Sequence, residues 1–463
     1  MRTLSTWNEN HGKIKKNDGD LHIRANREGK KMKISMTAAG DMIIQRRIPH
    51  DDKVFEAVSM YICRGDARFV NLETTLHHGQ FWGNQFSGGS YLRADPKVLE
   101  DAKAYGFNML SFANNHSMDY DRDGLVATKQ AVDEAGFINA GVGMNLDEAE
   151  APVYLDTAAG RIALIAATSS MGNNEAAMAG KQSRRVKGRP GVNGLRVEEK
   201  LQVTAEQLAV IREIAEASRI NAQTDIERAE GYHPPLPEGV AVLKNLKFSL
   251  GEETKYVTHP HAEDMQRVEK AIYEAEMQAD LIVVSIHSHQ IAGDKKENPA
   301  EFLQEFARKC IDAGAHAVIG HGPHLLRPIE IYKDRPIFYS LGDFVLHLEN
   351  VPFAPEEMYA KQGLTSDSTM RELFRIRSAD FTRGLVRDRR MMESVIPYFE
   401  MEDGKLTYLE LMPIELNFSE KTWQSGNPRF SKDHGIIERL AEMSKAYGCE
   451  IEIDDRGYGI VKL

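Results

Sequence analysis

Five times along this chain a short apolar run halts at a knot of acidic, amide or imidazole side chains. The knots are Gly40-Asp41, Asn71-Leu72-Glu73, Asn114-Asn115-His116, His287-Ser288-His289 and Gly320-His321-Gly322-Pro323-His324. The runs leading into them, at 33–39, 67–72, 108–113, 281–286 and 317–320, are mostly aliphatic and aromatic and too short for helices. They read as buried strands, as does 161–168. Between the strands, 54–64, 96–105, 124–135, 262–278 and 299–313 have helical patterning. Repeated strand–helix alternation places the chain in the α/β class, with a layered core. In open α/β sheets, groups just past the carboxyl ends of the strands converge on the crevice where ligands bind.

The pattern divides the chain. Residues 1–32 are polar and carry Lys13, Lys15, Lys16, Arg24, Arg27, Lys30 and Lys31, which predicts a disordered leader. Residues 33–171 and 252–420 form the α/β domain, closing with strand pairs at 329–332 and 336–339, then at 394–401 and 405–416. Residues 172–251 interrupt it with a basic stretch (Arg184, Arg185, Lys187, Arg189), a helix at 203–222 and a loop at Pro234, Pro235 and Pro237. This helical and loop insertion is expected either to cap the site or wall it, or to be surface decoration. The tail, 421–463, reads as a helix followed by a hairpin.

A net charge of −11 argues against a tightly held anionic polymer, and no basic block is large enough to suggest a nucleic-acid surface. The three cysteines, Cys63, Cys310 and Cys449, are odd in number and widely spaced, so they supply no disulfide framework and fit a reducing, cytoplasmic compartment. Cys310 falls in a helical run as a small core residue. No segment is long and apolar enough to span a membrane.

Carboxylate, amide oxygen and imidazole are the donors of a borderline divalent ion such as Mn, Fe, Zn or Ni. Two adjacent ions need more ligands than one helix motif supplies, and a carboxylate can bridge them through its two oxygens. Thiolates are absent from all five knots, which excludes a structural zinc finger.

Taken in order, GD, NLE, NNH, the HSH pair, GHGPH and the following Tyr339-Ser340-Leu341-Gly342-Asp343-Phe344 resemble the CapA family. These are poly-γ-glutamate capsule-biosynthesis proteins, grouped with the calcineurin-like metallophosphatases. The resemblance implies an αββα sandwich of two mixed sheets flanked by helices, with two divalent metal ions. It implies metal ligands at Asp41, Glu73 (bridging), Asn115, His287, His321 and His324, the last either a ligand or facing substrate. It also implies His116 as the histidine that protonates a leaving group.

The chain departs from the family pattern in four places. Ile43 stands where the first motif usually has histidine, GHGPH is one residue longer than GHxH, and HSH and GDF replace HWG and GNF. His289 is a second candidate catalytic histidine; it and Asp343 are left open between ligand and ligand partner. Such a site implies a metal-dependent hydrolase of a phosphoester or a peptide-like γ-glutamyl amide, with a small-molecule or peptide-like substrate. The alternatives are a metal-dependent peptide epimerase and a non-catalytic subunit of a poly-γ-glutamate synthesis complex. Arg93 and Arg327 read as surface salt-bridging groups or anion ligands, and Trp82 and Phe86 as packing or pocket residues.

Overall fold

The computed structural model describes residues 32–463 apart from 51, 85, 86, 88, 172–174, 385, 386 and 418–422. All but the last residue of the expected leader, and Phe86, therefore lie outside the described residues.

Two mixed sheets stack face to face. The first has ten strands, and its main path runs Ile451–Ile453, Gly459–Val461, Lys405–Leu416, Glu393–Glu402, Lys33–Ile43, Ala67–Leu72, Met109–Ser111 and Ile138–Ala140. Asp343–Leu346 also pairs with Lys33–Ile43, and Pro428–Phe430 with Lys405–Leu416. The second sheet has six strands, in the order Ile329–Tyr332, Arg335–Phe338, Ala317–His321, Leu281–His287, Arg161–Thr168 and Val153–Asp156. At the centre of each sheet the neighbours are parallel: Lys33–Ile43 lies beside Ala67–Leu72, and Leu281–His287 beside both Ala317–His321 and Arg161–Thr168.

Period-two alternation sorts the side chains of these strands into layers. In Leu281–His287, Leu281 and Val283 join the core between the sheets, while Ile282, Val284 and Ile286 join the outer one. The inner core combines Ile34, Met36, Phe69 and Met109 with Leu164, Val283, Ile319 and Phe338. Helices Lys53–Ile62, Val98–Tyr105 and Asp121–Glu134 cover the outer face of the first sheet through residues such as Val58, Leu99 and Leu125. Helices Ala262–Glu276 and Glu301–Asp312 cover the second through Val268, Ile272, Phe302, Phe306 and Cys310. Burying each such large apolar side chain stabilises the fold by roughly 1.5–3 kcal/mol. The result is the four-layered αββα sandwich that the motif order implies.

Beyond Arg161–Thr168 the chain first returns to the main body. Val192 and Leu195 are fully buried, and Asn193 Nδ2 donates to the Ala166 carbonyl at 2.9 Å. It then builds a separate four-stranded sheet in the order Val240–Leu243, Leu246–Leu250, Val197–Val203 and Lys255–Pro260, carrying helices Ala205–Ser218 and Ala222–Ala229. Thr204 starts the first of these helices with a capping box to Gln207. Strands are thus present beside the expected helix. Their alternation is blurred by Lys200, Lys247 and Lys255, which is why the sequence did not announce them.

Candidate metal centre

The same alternation that builds the inner core also places the site. Phe69 and Asn71, Ile319 and His321, and Val283, Ser285 and His287 each share the inner face of a strand. Towards the carboxyl ends the inner face therefore changes from apolar to polar, and the site continues the inter-sheet core. Parallel register aligns His287 with His321, and Asp41 with both Asn71 and Asp343. A bulge between Ala38 and Asp41 interrupts the pairing of the first strand where the carboxylate enters the site.

Three overlapping groups of donors result: Asp41, His287 and His321; Glu73, His287 and His289; and Asp41, His324 and Asp343. His287 is at the middle. Its Nδ1 is 3.0 Å from His321 Nδ1 and 3.7 Å from Asp41 Oδ1. Its Nε2 is 2.7 Å from Asn115 Oδ1, 3.1 Å from His289 Nε2 and 3.8 Å from Glu73 Oε1. His324 Nδ1 meets Asp343 Oδ1 at 2.9 Å, and His324 adopts a positive φ of 59° to reach it.

The donor set fits a divalent cation on three observations. Glu73 is 0% exposed, yet neither of its carboxylate oxygens has a hydrogen-bond partner, and Asp343 Oδ2 is likewise orphaned. Such groups are costly unless something positive faces them. Burial, then the Asp343 charge, pushes Asp41 up to about 7, and burial with Asp41 and Asp343 pushes Glu73 well above the carboxylate range. Burial, reinforced by neighbouring histidines, holds His287 and His289 well below the usual imidazole value, and burial alone lowers His321 to about 3. These imidazoles are thus neutral, with lone pairs to give, beside carboxylates crowded for want of positive charge. For His324, burial opposes the charge, but Asp343 and Asp41 outweigh it and hold the ring up at about 9.

The motif residues are held by partners, of which Ser285 and Asp119 escaped the sequence reading. Asn71 Nδ2 donates to Asp41 Oδ1 at 2.7 Å, and the Gly322 amide donates to Asp41 Oδ2 at 2.8 Å. Ser285 Oγ lies 2.7 Å from His321 Nε2, so Nδ1 of that ring faces the cluster. Asn114 Nδ2 donates to the Leu72 carbonyl and its Oδ1 accepts the His116 amide, locking the NNH turn. His116 Nδ1 sits 2.7 Å from Asp119 Oδ2, and its Nε2 is 3.9 Å from Glu73 Oε1. A signal existed for Ser285, two residues before His287 on one strand, and for Asp119, within a turn of His116.

Two readings are corrected. Arg327 is no surface group: it is fully buried and donates to the carbonyls of Lys296, Ser288, His289 and Gln290, bracing the loop that carries His289. Trp82 is 92% exposed, so packing does not account for it. Arg93 lies half-buried on the two-residue strand paired with Thr75–Leu76, just beyond Glu73. Among the described residues, no helix is long and apolar enough to cross a membrane.

Residues 35–347 match the family model described as "Bacterial capsule synthesis protein PGA_cap". The protein y4sH of Sinorhizobium fredii is 32% identical over 442 residues, 93% of each chain. The capsule biosynthesis protein CapA of Bacillus anthracis is 25% identical over 321 residues, 68% of this chain and 60% of that one. The PGA biosynthesis protein CapA of Bacillus subtilis is 45% identical over 74 residues, 16% of this chain and 19% of that one. Among solved structures, a hypothetical protein from Thermus thermophilus aligns with a TM-score of 0.37 at 10% identity, covering 82% of this chain and 99% of that one. The resemblance drawn from the motif order is borne out, and the chain belongs to the PGA_cap family of bacterial capsule synthesis proteins.

Proposed function

We propose that the protein is a cytoplasmic, metal-dependent hydrolase that acts on a phosphoester or a γ-glutamyl-type amide through two divalent ions, Mn, Fe, Zn or Ni. Asp41, Glu73, Asn115, His287, His321 and His324 would hold them, with Asp343 completing the set beside His324. When bound, such ions acidify a water and polarise the bond under attack. The observation that carries the reading is Glu73, fully buried with both oxygens unpartnered and within 4 Å of His116 and His287. A carboxylate so placed has two oxygens to share between two cations.

The remaining chemistry belongs to the chain's own groups. Asp119 accepts a hydrogen bond from Nδ1 of His116, fixing the ring so that Nε2 points towards Glu73 and donates a proton to the leaving group. Arg327 and Ser170, through their bonds to the 288–290 backbone, keep His289 turned to the centre.

Metal analysis of purified protein tests this directly, together with a screen of phosphoesters, γ-glutamyl amides and peptides. The wild type is expected to carry about two ions per chain, and Glu73→Gln to lose occupancy at both positions, since a bridge serves both. Full retention of metal in Glu73→Gln rejects the bridge. The names of the CapA relatives support a second reading, a non-catalytic subunit of a poly-γ-glutamate synthesis complex. That reading predicts full metal content with no turnover on any compound in the screen.

A further inference from the structure

A groove of about 620 Å³ is lined by segments that adjoin, in the chain, His116 and the Ser170 that holds the His289 backbone. One wall is Met118, Tyr120 and residues 121–123, directly after His116 in the chain. Another begins at Met171, next to Ser170, whose hydroxyl accepts the His289 amide at 3.0 Å. A third side is the loop carrying Trp82. This loop is bound to the same dyad: the Leu92 amide donates at 2.8 Å to Asp119 Oδ2, the oxygen that also meets His116.

Trp82 and Tyr120 carry groups that the fold does not use, and Asp121 and Asp123 add charge, although Asp121 Oδ1 also accepts the Arg122 amide at 2.8 Å. Trp82 presents an almost wholly exposed indole. Tyr120 is only 4% exposed and lines the groove, yet its hydroxyl has no hydrogen-bond partner. Asp121 and Asp123 put two exposed carboxylates at the rim, against one cation, Arg122. That guanidinium is already engaged, donating to the Ala176 carbonyl at 3.0 Å and lying 3.5 Å from Asp121. Acidic residues in a first helical turn are ordinary, but helix capping explains neither the bare indole nor the orphaned hydroxyl.

We propose that this groove binds an organic cation with an apolar body, an alkylammonium group carried by a ligand, stacked on Trp82 and matched in charge by Asp121 and Asp123. An indole face attracts a partly desolvated ammonium. The paired rim carboxylates add Coulomb attraction, and Met118 and Met171 offer soft apolar surface to the ligand's body. The same rim repels a run of carboxylates, so a bare polyglutamate chain is not the occupant. The inference is independent of the functional reading above, because binding in the groove needs neither metal nor turnover.

The test uses the full-length, chelator-treated protein and three probes: choline, its uncharged tert-butyl isostere and glutarate, followed by ligand-observed NMR and calorimetry. Choline is expected to bind saturably, and more weakly as salt rises. Trp82→Ala and the double variant Asp121→Asn, Asp123→Asn are each expected to weaken it about tenfold. All three positions are exposed, so the variants leave the core untouched. Four outcomes overturn the proposal: no saturable choline binding, equal binding of the isostere, tighter binding of glutarate, or unchanged affinity in both variants. None of them bears on the metal centre, whose own test is the metal content of Glu73→Gln.

Discussion

The rim of the sandwich and the small sheet of residues 197–260 are built from similar elements to opposite effect. At the rim, strands covered on both faces carry donor side chains whose directions are set by parallel register and by partners such as Asn71, Ser285 and Arg327. In the small sheet and its helix Ala205–Ser218, the buried apolar residues are Val203, Leu208 and Ala241, while Ile214, Leu246, Leu250 and Tyr256 stay about half exposed. Position is therefore over-determined at the rim and loosely held in the appended sheet. A donor set held this firmly suits the metal chemistry proposed for it, and the appended sheet suits a role in which it can move or be replaced.

The sharpest division expected within the rim is between holding metal and moving protons. If His116 is the proton donor oriented by Asp119, His116→Ala keeps its metal and loses roughly 10²–10⁴-fold in turnover on a substrate found by the screen. Metal lost in proportion to activity would make His116 a ligand. Asp119→Asn should shift the basic limb of the pH–rate profile, where the proton donor is lost, a readout that a merely structural role would leave alone.

Next in size is the contrast in stability. Phe306 is fully buried between helix Glu301–Asp312 and the second sheet, so Phe306→Ala is expected to cost ~3–5 kcal/mol in urea unfolding. Leu250, half exposed on the appended sheet, should cost within about 0.5 kcal/mol when changed to Ala. Comparable losses at the two sites would mean that the appended sheet is as tightly packed as the sandwich.

Acid should also strike the sandwich first. His316 accepts the Ile282 amide at the start of a central strand of the second sheet, and His347 accepts the Gln45 amide beside the first. Burial is the main cause of both depressions, to about 4 for His316 and about 3 for His347. A histidine whose folded value lies below its free value of about 6.5 contributes stability in full above that pH and loses it as pH falls towards the folded value. Stability should therefore decline from about pH 6.5 towards 4, with on the order of 1–3 kcal/mol from each ring. The His316→Gln, His347→Gln variant, compared with wild type across that window, should show a shallower slope. Parallel slopes would remove these two rings from the account.

The sequence made the rim legible because each strand there is an apolar run with an abrupt polar end, a pattern that survives without knowledge of its neighbours. Val283 and His287 need only alternation to be placed on one face. Arg327 was misread because a charge near a motif looks solvent-facing; only the folded loop shows the backbone carbonyls that take its donors. Asp119 was missed because its partner is defined by the turn after Asn115 and not by a periodic element. The strands at 197–260 were hidden because one weak core leaves their polar residues half exposed on both faces, so no clean alternation develops.

The smallest expected effect is the most direct test of the contrast. We place the excisable unit between Glu198 and His259, inside the expected 172–251 insertion at one end and beyond it at the other. The pairing of Val197 with Pro260 and of Glu198 with His259 brings the two ends side by side, so a short glycine-rich turn can replace everything between them. Residues 191–195 must stay, because Val192 and Leu195 are fully buried in the main body and Asn193 bonds to the Ala166 carbonyl. The Phe302 amide loses its bond to the Thr258 hydroxyl in such a deletion, a loss of roughly 1 kcal/mol. Metal content should be unchanged, since none of the three donor groups includes a residue of the excised sheet. If substrate choice broadens while metal stays, the appended sheet selects the substrate; if rate and choice both stay, it is decoration. Loss of metal would show that the rim depends on it, and the contrast between the two regions would fail.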